Sequence, residues 1–190
     1  MGSAAVNLLG LLMGLQCLIE LHAVFIRFNN VTCESTDLSM WTVEYCKLTN
    51  LSKDKNRISL RYTMLQPMLR NIEIYLQLMT RRSESINVAS NWQPFLYSVK
   101  LDYCRYLKNH HHNYLAKMVF EFIEGHSNLN HSCPYTKEKY ICIDDVTNTE
   151  VSRKIRGVPM PKGFYALFTK WSTENITRTV TNYYFEVVNP

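Results

Sequence analysis

Apolar and polar residues alternate with a period of two along several segments of this chain. The alternation is clearest over residues 57–64 and 71–78, where every second residue is apolar: Ile58, Leu60, Tyr62 and Met64, then Ile72, Ile74, Leu76 and Leu78. Successive side chains of a β-strand point to opposite faces of its sheet, so both segments predict strands with one buried and one solvated face. Pro67 predicts a break between them, because proline cannot donate a hydrogen bond to a strand ladder.

Five further segments rich in β-branched and aromatic residues are predicted as strands: Trp41–Cys46, Phe95–Val99, Lys139–Ile143, Tyr165–Trp171 and Thr177–Val187. Alternation that buries one face is typical of antiparallel sheets with the other face in water. We therefore predict a mainly β fold, an antiparallel β-sandwich of immunoglobulin-like architecture. Residues 24–190 are expected to form its single domain.

A helical insertion interrupts the strand pattern. Leu115, Met118, Val119 and Phe122 are spaced i, i+3, i+4 and i+7, which predicts an amphipathic helix over residues 114–124. Gly125 follows as a helix terminator. A shorter helix is predicted from Asp102, whose carboxylate suits an N-cap, to Lys108.

The first 23 residues are predicted to be a signal peptide. An apolar stretch runs from Ala4 to Ile19, and we expect cleavage after Ala23. This stretch has the length of a signal-peptide core and is short for a membrane span, which needs about 20 apolar residues. The prediction is a secreted protein without a transmembrane anchor; an uncleaved anchor or a buried helix is the alternative.

The glycosylation sequons agree with a secreted protein, and the charge pattern argues against a nucleic-acid partner. Four Asn-x-Ser/Thr sequons are present, and each predicts a glycosylated surface position: Asn30, Asn50, Asn130 and Asn175. The formal net charge of +5 is spread along the chain. It lacks the interleaved basic and aromatic residues of a nucleic-acid groove, so no nucleic-acid partner is predicted.

An odd number of cysteines would remain after the leader is removed: Cys33, Cys46, Cys104, Cys133 and Cys142. In an oxidising compartment four should pair, but spacing alone leaves the connectivity open. Local sequence favours Cys33 with Cys46 across a hairpin, and Cys104 with Cys133 around the helical insertion. Cys142 lies in an apolar, strand-like run and is expected to be a buried free thiol.

The chain contains no sequence motif that predicts catalysis or a cofactor. It lacks Gly-x-Ser-x-Gly, His-Glu-x-x-His, a phosphate-binding glycine loop and an EF-hand. His110, His111 and His112 are adjacent and project apart, so they are interpreted as a polar loop and not as a metal site. A zinc set of His126, His131 and Cys133 is less favoured than a disulfide at Cys133. We expect no enzyme activity, no metal and no cofactor.

Several motifs resemble a large family of small secreted insect proteins, abundant in flies, whose domain has no established function. They are residues 94–109 (PFLYSVKLDYCRYLKN), residues 127–135 (SNLNHSCPY) and Pro159-Met160-Pro161-Lys162-Gly163. Cys33 and Cys46 match the usual N-terminal cysteine pair of that family. The family is distantly similar to ML-type lipid-recognition and ganglioside-activator proteins, which implies a β-sandwich that holds a lipid between its sheets. Related insect proteins are linked to contact chemosensation.

From the apolar stripes and this resemblance we predict a non-catalytic protein that binds a lipid or another hydrophobic small molecule. The expected lining is Tyr62, Met64, Ile74, Leu76, Leu78, Phe95, Tyr97, Met118, Phe122, Tyr165 and Leu167. An ordinary packed core needs the same residue types, so the pattern does not separate a hollow interior from a filled one. The alternative function is a solid-core interaction module, or accessory subunit, for a cell-surface receptor.

Overall fold

The fold is described by a computed structural model that covers residues 24–66, 71–81, 92–109, 113–135 and 138–188. The leader over residues 1–23, the break at Pro67 and the three adjacent histidines lie outside these ranges. Two antiparallel sheets and three short helices make up the described chain. The predicted mainly β, two-sheet antiparallel architecture is therefore confirmed.

The larger sheet has six strands, and five of them follow one path of neighbours. In spatial order these are β1 (Phe25–Ser35), β9 (Ile176–Val188), β8 (Gly163–Thr173), β4 (Ile72–Arg81) and β5 (Gln93–Pro94). The sixth strand, β6 (Val99–Asp102), also pairs with β4, at residues 73–76, whereas β5 pairs with residues 79–80. The inner face of this sheet is apolar; on β4, for example, the buried residues Ile72, Ile74, Leu76 and Leu78 alternate with half-buried ones.

The smaller sheet has three strands in the order β2 (Trp41–Asn50), β3 (Asn56–Met64) and β7 (Tyr140–Thr147). Its inner residues Leu60, Tyr62 and Met64 are buried, as the alternation predicted. Tyr62 packs edge-on against Trp41, and its hydroxyl lies 2.7 Å from Thr181 Oγ1 on β9. The smaller sheet therefore packs directly over the β1–β9 side of the larger one, and that part of the core is filled.

Three helices cover the interior beside the smaller sheet. They are α1 (Tyr103–Lys108), α2 (Tyr114–Ile123) and α3 (Asn148–Lys154). Both predicted helices are confirmed: Asp102 caps α1 by accepting a hydrogen bond from Arg105 N, and Asn113 caps α2 in the same way from Ala116 N. At the far end of α2, Gly125 adopts a φ of 81°, which glycine reaches without strain.

The sequence reading missed two elements. Strand β1 was not predicted, and neither was α3, although Thr147 and Glu150 form a capping box at its start. Ser152 of α3 accepts a hydrogen bond from Ile26 N at 2.8 Å, so α3 is fastened to β1. These two missed elements supply one end of the interior.

The predicted strand over Phe95–Val99 is wrong for most of its length. The chain pairs with β4 at Gln93–Pro94 and again from Val99, and residues 95–98 between them are irregular. Phe95 N and Leu96 N both donate to the Leu78 carbonyl, at 2.9 and 3.4 Å. Two successive residues thus share one acceptor, which interrupts the ladder as a bulge does.

Candidate functional site

A cavity of about 130 Å³ lies inside the fold, between the larger sheet and the helices. Its floor includes Leu76, Leu78 and Leu167, from the inner faces of β4 and β8. The roof comes from α2 and α3, with contributions that include Leu115, Phe120, Val151 and Ile155. The site is therefore built from elements of both layers.

The unequal width of the two sheets explains why the cavity lies here. Neighbouring strands are about 4.8 Å apart, so three strands cannot cover a path of five. Helix α1 covers part of the remainder, with the Tyr103 ring 5.4 Å from the Trp171 ring on β8. Short helices pack less continuously on a sheet than a second sheet does. Space remains where β3, β7 and the helices meet over the floor.

The lining is almost entirely apolar. The polar side-chain groups of the described lining residues are the hydroxyls of Thr169, Tyr103, Tyr106 and Tyr183 and the indole N–H of Trp171, and none of these residues is charged. Thr169 Oγ1 donates to the Thr181 carbonyl at 2.8 Å, and the Tyr103 hydroxyl donates to the Leu129 carbonyl at 2.7 Å. Two of these four hydroxyls are therefore engaged in hydrogen bonds within the protein.

Burial keeps the tyrosine hydroxyls of the lining neutral. It raises the pKa of Tyr103 and of Tyr183 far above the usual tyrosine range. The pKa of Tyr106 rises to about 12, first through burial and then through the nearby charges of Glu121 and Glu124. A neutral phenol donates a hydrogen bond but does not act as a base near pH 7.

Six of the eleven predicted lining residues border the cavity: Ile74, Leu76, Leu78, Met118, Phe122 and Leu167. The others lie elsewhere. Tyr62 and Met64 belong to the filled half of the core, and Tyr165 is buried between the rings of Phe95 and Phe185. The structure thus gathers about half of the predicted set around one space.

Tyr97 was expected on an inward face, and this expectation is wrong. Its side chain is 62% exposed. It lies in the irregular stretch between β5 and β6, where the ladder is interrupted and the period of two no longer determines which side a residue faces.

The sequence reading also missed cavity residues. Ile26 and Phe28 belong to the unpredicted β1, and Val151 and Ile155 come from α3 and its C-cap. Tyr183 was part of the predicted C-terminal strand but was not selected as a lining residue. Its place in the alternation between Thr181 and Phe185 was a usable signal.

Both favoured cysteine pairs are bonded, Cys33 with Cys46 and Cys104 with Cys133. The expected hairpin between the first two is wrong, because β1 pairs with β9 and β2 pairs with β3. Their disulfide instead joins the two sheets. Cys142 is free and half-buried, and its pKa is raised chiefly by burial, which disfavours the reactive thiolate.

The four sequon asparagines are all exposed. Among the described residues, no group of three or more His, Cys, Asp or Glu side chains could hold a metal ion. Cys133 is disulfide-bonded to Cys104, so it is not available to the zinc set of His126, His131 and Cys133. No helix in the described ranges has the length and apolar character needed to cross a bilayer.

Residues 74–167 match a family model described as a protein of unknown function (DUF1091). The matched segment runs from β4 into β8, and so includes all three helices and much of the cavity wall. No curated protein matches the chain. The match confirms a domain of unknown function, whereas the insect origin and the likeness to ML-type lipid-recognition proteins stay predictions.

Proposed function

We propose that this protein binds a compact hydrophobic molecule, without converting it, in the cavity between the larger sheet and the helices. The observation that carries the proposal is the apolar cavity of about 130 Å³. Protein interiors normally pack to crystal-like density, with few voids larger than a water molecule. An apolar void of this size is therefore available to an apolar ligand.

The size of the cavity limits the ligand. An engineered cavity of about 150 Å³ lined by aliphatic and aromatic residues binds benzene, and pockets for drug-sized ligands span roughly 300–1,000 Å³. At about 130 Å³ the cavity accepts a molecule near the size of one ring. A full lipid acyl chain would not fit within this volume.

Binding without catalysis is supported by the chemistry of the lining. Its titratable groups among the described residues are tyrosines, and the pKa values of Tyr103, Tyr106 and Tyr183 are all raised by burial. Such a lining supplies transfer free energy, about 25 cal/mol per Å² removed from water, but no nucleophile or general base near pH 7.

An extracellular location is part of the proposal. Two disulfides are typical of proteins that fold in an oxidising compartment. The predicted leader and the four exposed sequon asparagines agree with secretion. A secreted carrier or sensor of a small apolar compound fits this combination.

A homologous series of alkylbenzenes tests the cavity. Binding to the glycosylated, disulfide-bonded protein would be measured by chemical-shift perturbation and by the rise in melting temperature. Each added methylene should strengthen binding by about 0.8 kcal/mol, roughly fourfold, until the space is full. Beyond that length the affinity should stop rising.

Two variants localise the binding. Ala116 lines the cavity from α2 and is 3% exposed, so Ala116→Leu should fill part of the space. It is expected to weaken the best ligand at least about tenfold, because up to three methylene-sized groups worth about 0.8 kcal/mol each no longer fit. Met64→Leu, a volume-conserving change in the filled half of the core, is the matched control and should leave affinity unchanged. Absence of binding, or equal binding to wild type and Ala116→Leu, would refute the proposal.

The alternative function is a receptor-directed interaction module. It is favoured by rings on the outer face of the larger sheet, where Trp92 packs against Phe168 and Tyr184, and Arg81 lies over Trp92. It predicts a solid core, however, and the interior contains a cavity. Failure of every alkylbenzene to bind would make this alternative the leading one.

A further inference from the structure

Tyr183 points into the cavity from the middle of β9. Thr181, Tyr183 and Phe185 form an inward row, and Tyr183 is paired with Leu167 on β8 and Val31 on β1. Leu167 and Phe185 border the same cavity. Tyr183 is half-buried and is itself one of the residues that line the cavity.

The Tyr183 hydroxyl lacks a hydrogen-bond partner within the part of the chain that the structure describes. Its neighbours differ in this respect. The hydroxyls of Tyr62, Tyr103 and Tyr165 each bond to a protein group, at 2.7, 2.7 and 2.8 Å. Buried tyrosine hydroxyls usually have a partner, because an unmet donor loses its bond to water without replacement. The free donor therefore marks where a ligand atom would bind.

The electrostatic character of the lining further restricts which ligand atom could accept the hydrogen bond from Tyr183. Burial raises the pKa of Tyr183, so its hydroxyl stays protonated and donates. Among the described residues, no arginine, lysine or histidine lines the cavity, so a carboxylate ligand would be buried there without a counter-charge. The described part of the lining has no aspartate or glutamate to pair with a cationic ligand either.

We propose that the ligand is a neutral, hydrocarbon-like molecule with one oxygen that accepts a hydrogen bond from Tyr183. Ketones, aldehydes, esters and alcohols belong to this class; free fatty acids and plain hydrocarbons do not. The inference rests on the proposed function, because it requires that the cavity is the binding site.

A pair of ligands with the same shape isolates the hydrogen bond. Cyclohexanone and methylenecyclohexane differ by a carbonyl oxygen in place of a CH₂ group. The affinity of each would be measured for the wild type and for Tyr183→Phe, which removes only the hydroxyl. The ketone should bind Tyr183→Phe about fivefold to tenfold more weakly than the wild type, the usual net worth of one hydrogen bond. The hydrocarbon should bind the variant equally well or more tightly.

Tyr62→Phe is the matched control. Tyr62 faces the same interior, but its hydroxyl is bonded to Thr181 and the residue does not line the cavity. This variant should lower the melting temperature and leave the ratio of ketone to hydrocarbon affinity unchanged. Tyr183→Phe should change that ratio without lowering the melting temperature. A purely structural role of the Tyr183 hydroxyl would not produce this combination.

The outcomes separate this inference from the proposed function. If both ligands bind but Tyr183→Phe changes their affinities equally or not at all, the inference is overturned and cavity binding stands. Tight binding of cyclohexanecarboxylate at pH 7 would overturn the restriction to neutral ligands. If neither cyclohexanone nor methylenecyclohexane binds the wild type, both proposals fail.

Discussion

Asn148 connects three backbone segments through one fully buried side chain. Its Oδ1 accepts a hydrogen bond from Asn56 N at 2.9 Å, and its Nδ2 donates to the carbonyls of Ile26 and Asp54, each at 3.0 Å. The residue is 0% exposed. It therefore holds the start of α3 against β1 and the beginning of β3, where water cannot substitute for the amide.

Asn148→Ala is expected to lower the free energy of unfolding by about 3 kcal/mol, because three buried bonds worth about 1 kcal/mol each are lost. Chemical denaturation measures this change. Asn128→Ala is the control: Asn128 also makes two backbone bonds, to Tyr140 O and Cys142 N, but is only half-buried. Water can replace those partners, so Asn128→Ala should lower the free energy of unfolding by at most about 1 kcal/mol. Equal losses in the two variants would contradict the role assigned to Asn148.

The two disulfides act on different elements. Cys33–Cys46 joins β1 of the larger sheet to β2 of the smaller one, with Cα atoms 6.0 Å apart. Cys104–Cys133 fastens α1 to the loop before β7, with Cα atoms 5.6 Å apart. The first therefore holds the filled half of the sandwich together, and the second anchors the helical side.

Replacing each pair by serines should produce different patterns of hydrogen exchange. The chain-entropy model gives each bond about 3 kcal/mol or slightly more, for sequence separations of 13 and 29 residues. Without Cys104–Cys133, exchange should accelerate in α1 and over residues 127–135 while β2 and β3 stay protected. Without Cys33–Cys46, the accelerated segments should be β1 and β2. Exchange mass spectrometry distinguishes these patterns, and identical ones would contradict the assignment.

At the scale of the whole molecule, the outer surface and the cavity are separate regions. The exposed sequon residues Asn30, Asn50, Asn130 and Asn175 lie on strands and loops, and none of them lines the cavity. Glycans attached there would extend into solvent. They would not block the space under the helices.

Protein secreted from a eukaryotic host should therefore lose mass on enzymatic deglycosylation and keep its affinity for the alkylbenzenes. Intact mass spectrometry before and after treatment gives the number of occupied sites, and the variant with all four asparagines changed to glutamine is the control. A secreted product without any glycan would contradict the prediction of surface glycosylation.

Local sequence was sufficient for the elements whose structure depends on neighbouring residues. The period of two over residues 57–64 and 71–78 predicted β3 and β4, and the spacing of Leu115, Met118, Val119 and Phe122 predicted α2. Asp102 was correctly predicted as the cap of α1. The alternation of side chains along a strand and the period of an α-helix both follow from local backbone geometry.

The sequence by itself thus predicted most of the strands and two of the three described helices, and it favoured the two cysteine pairs that form. Only the tertiary structure decided that the Cys33–Cys46 bond joins two sheets, that Tyr97 faces solvent, and that the interior is filled beside Tyr62 but hollow beside Tyr183. The physical reason is that alternation specifies the face on which an apolar side chain lies, but not the distance to the layer opposite. That distance depends on how three strands and three short helices together cover a wider sheet.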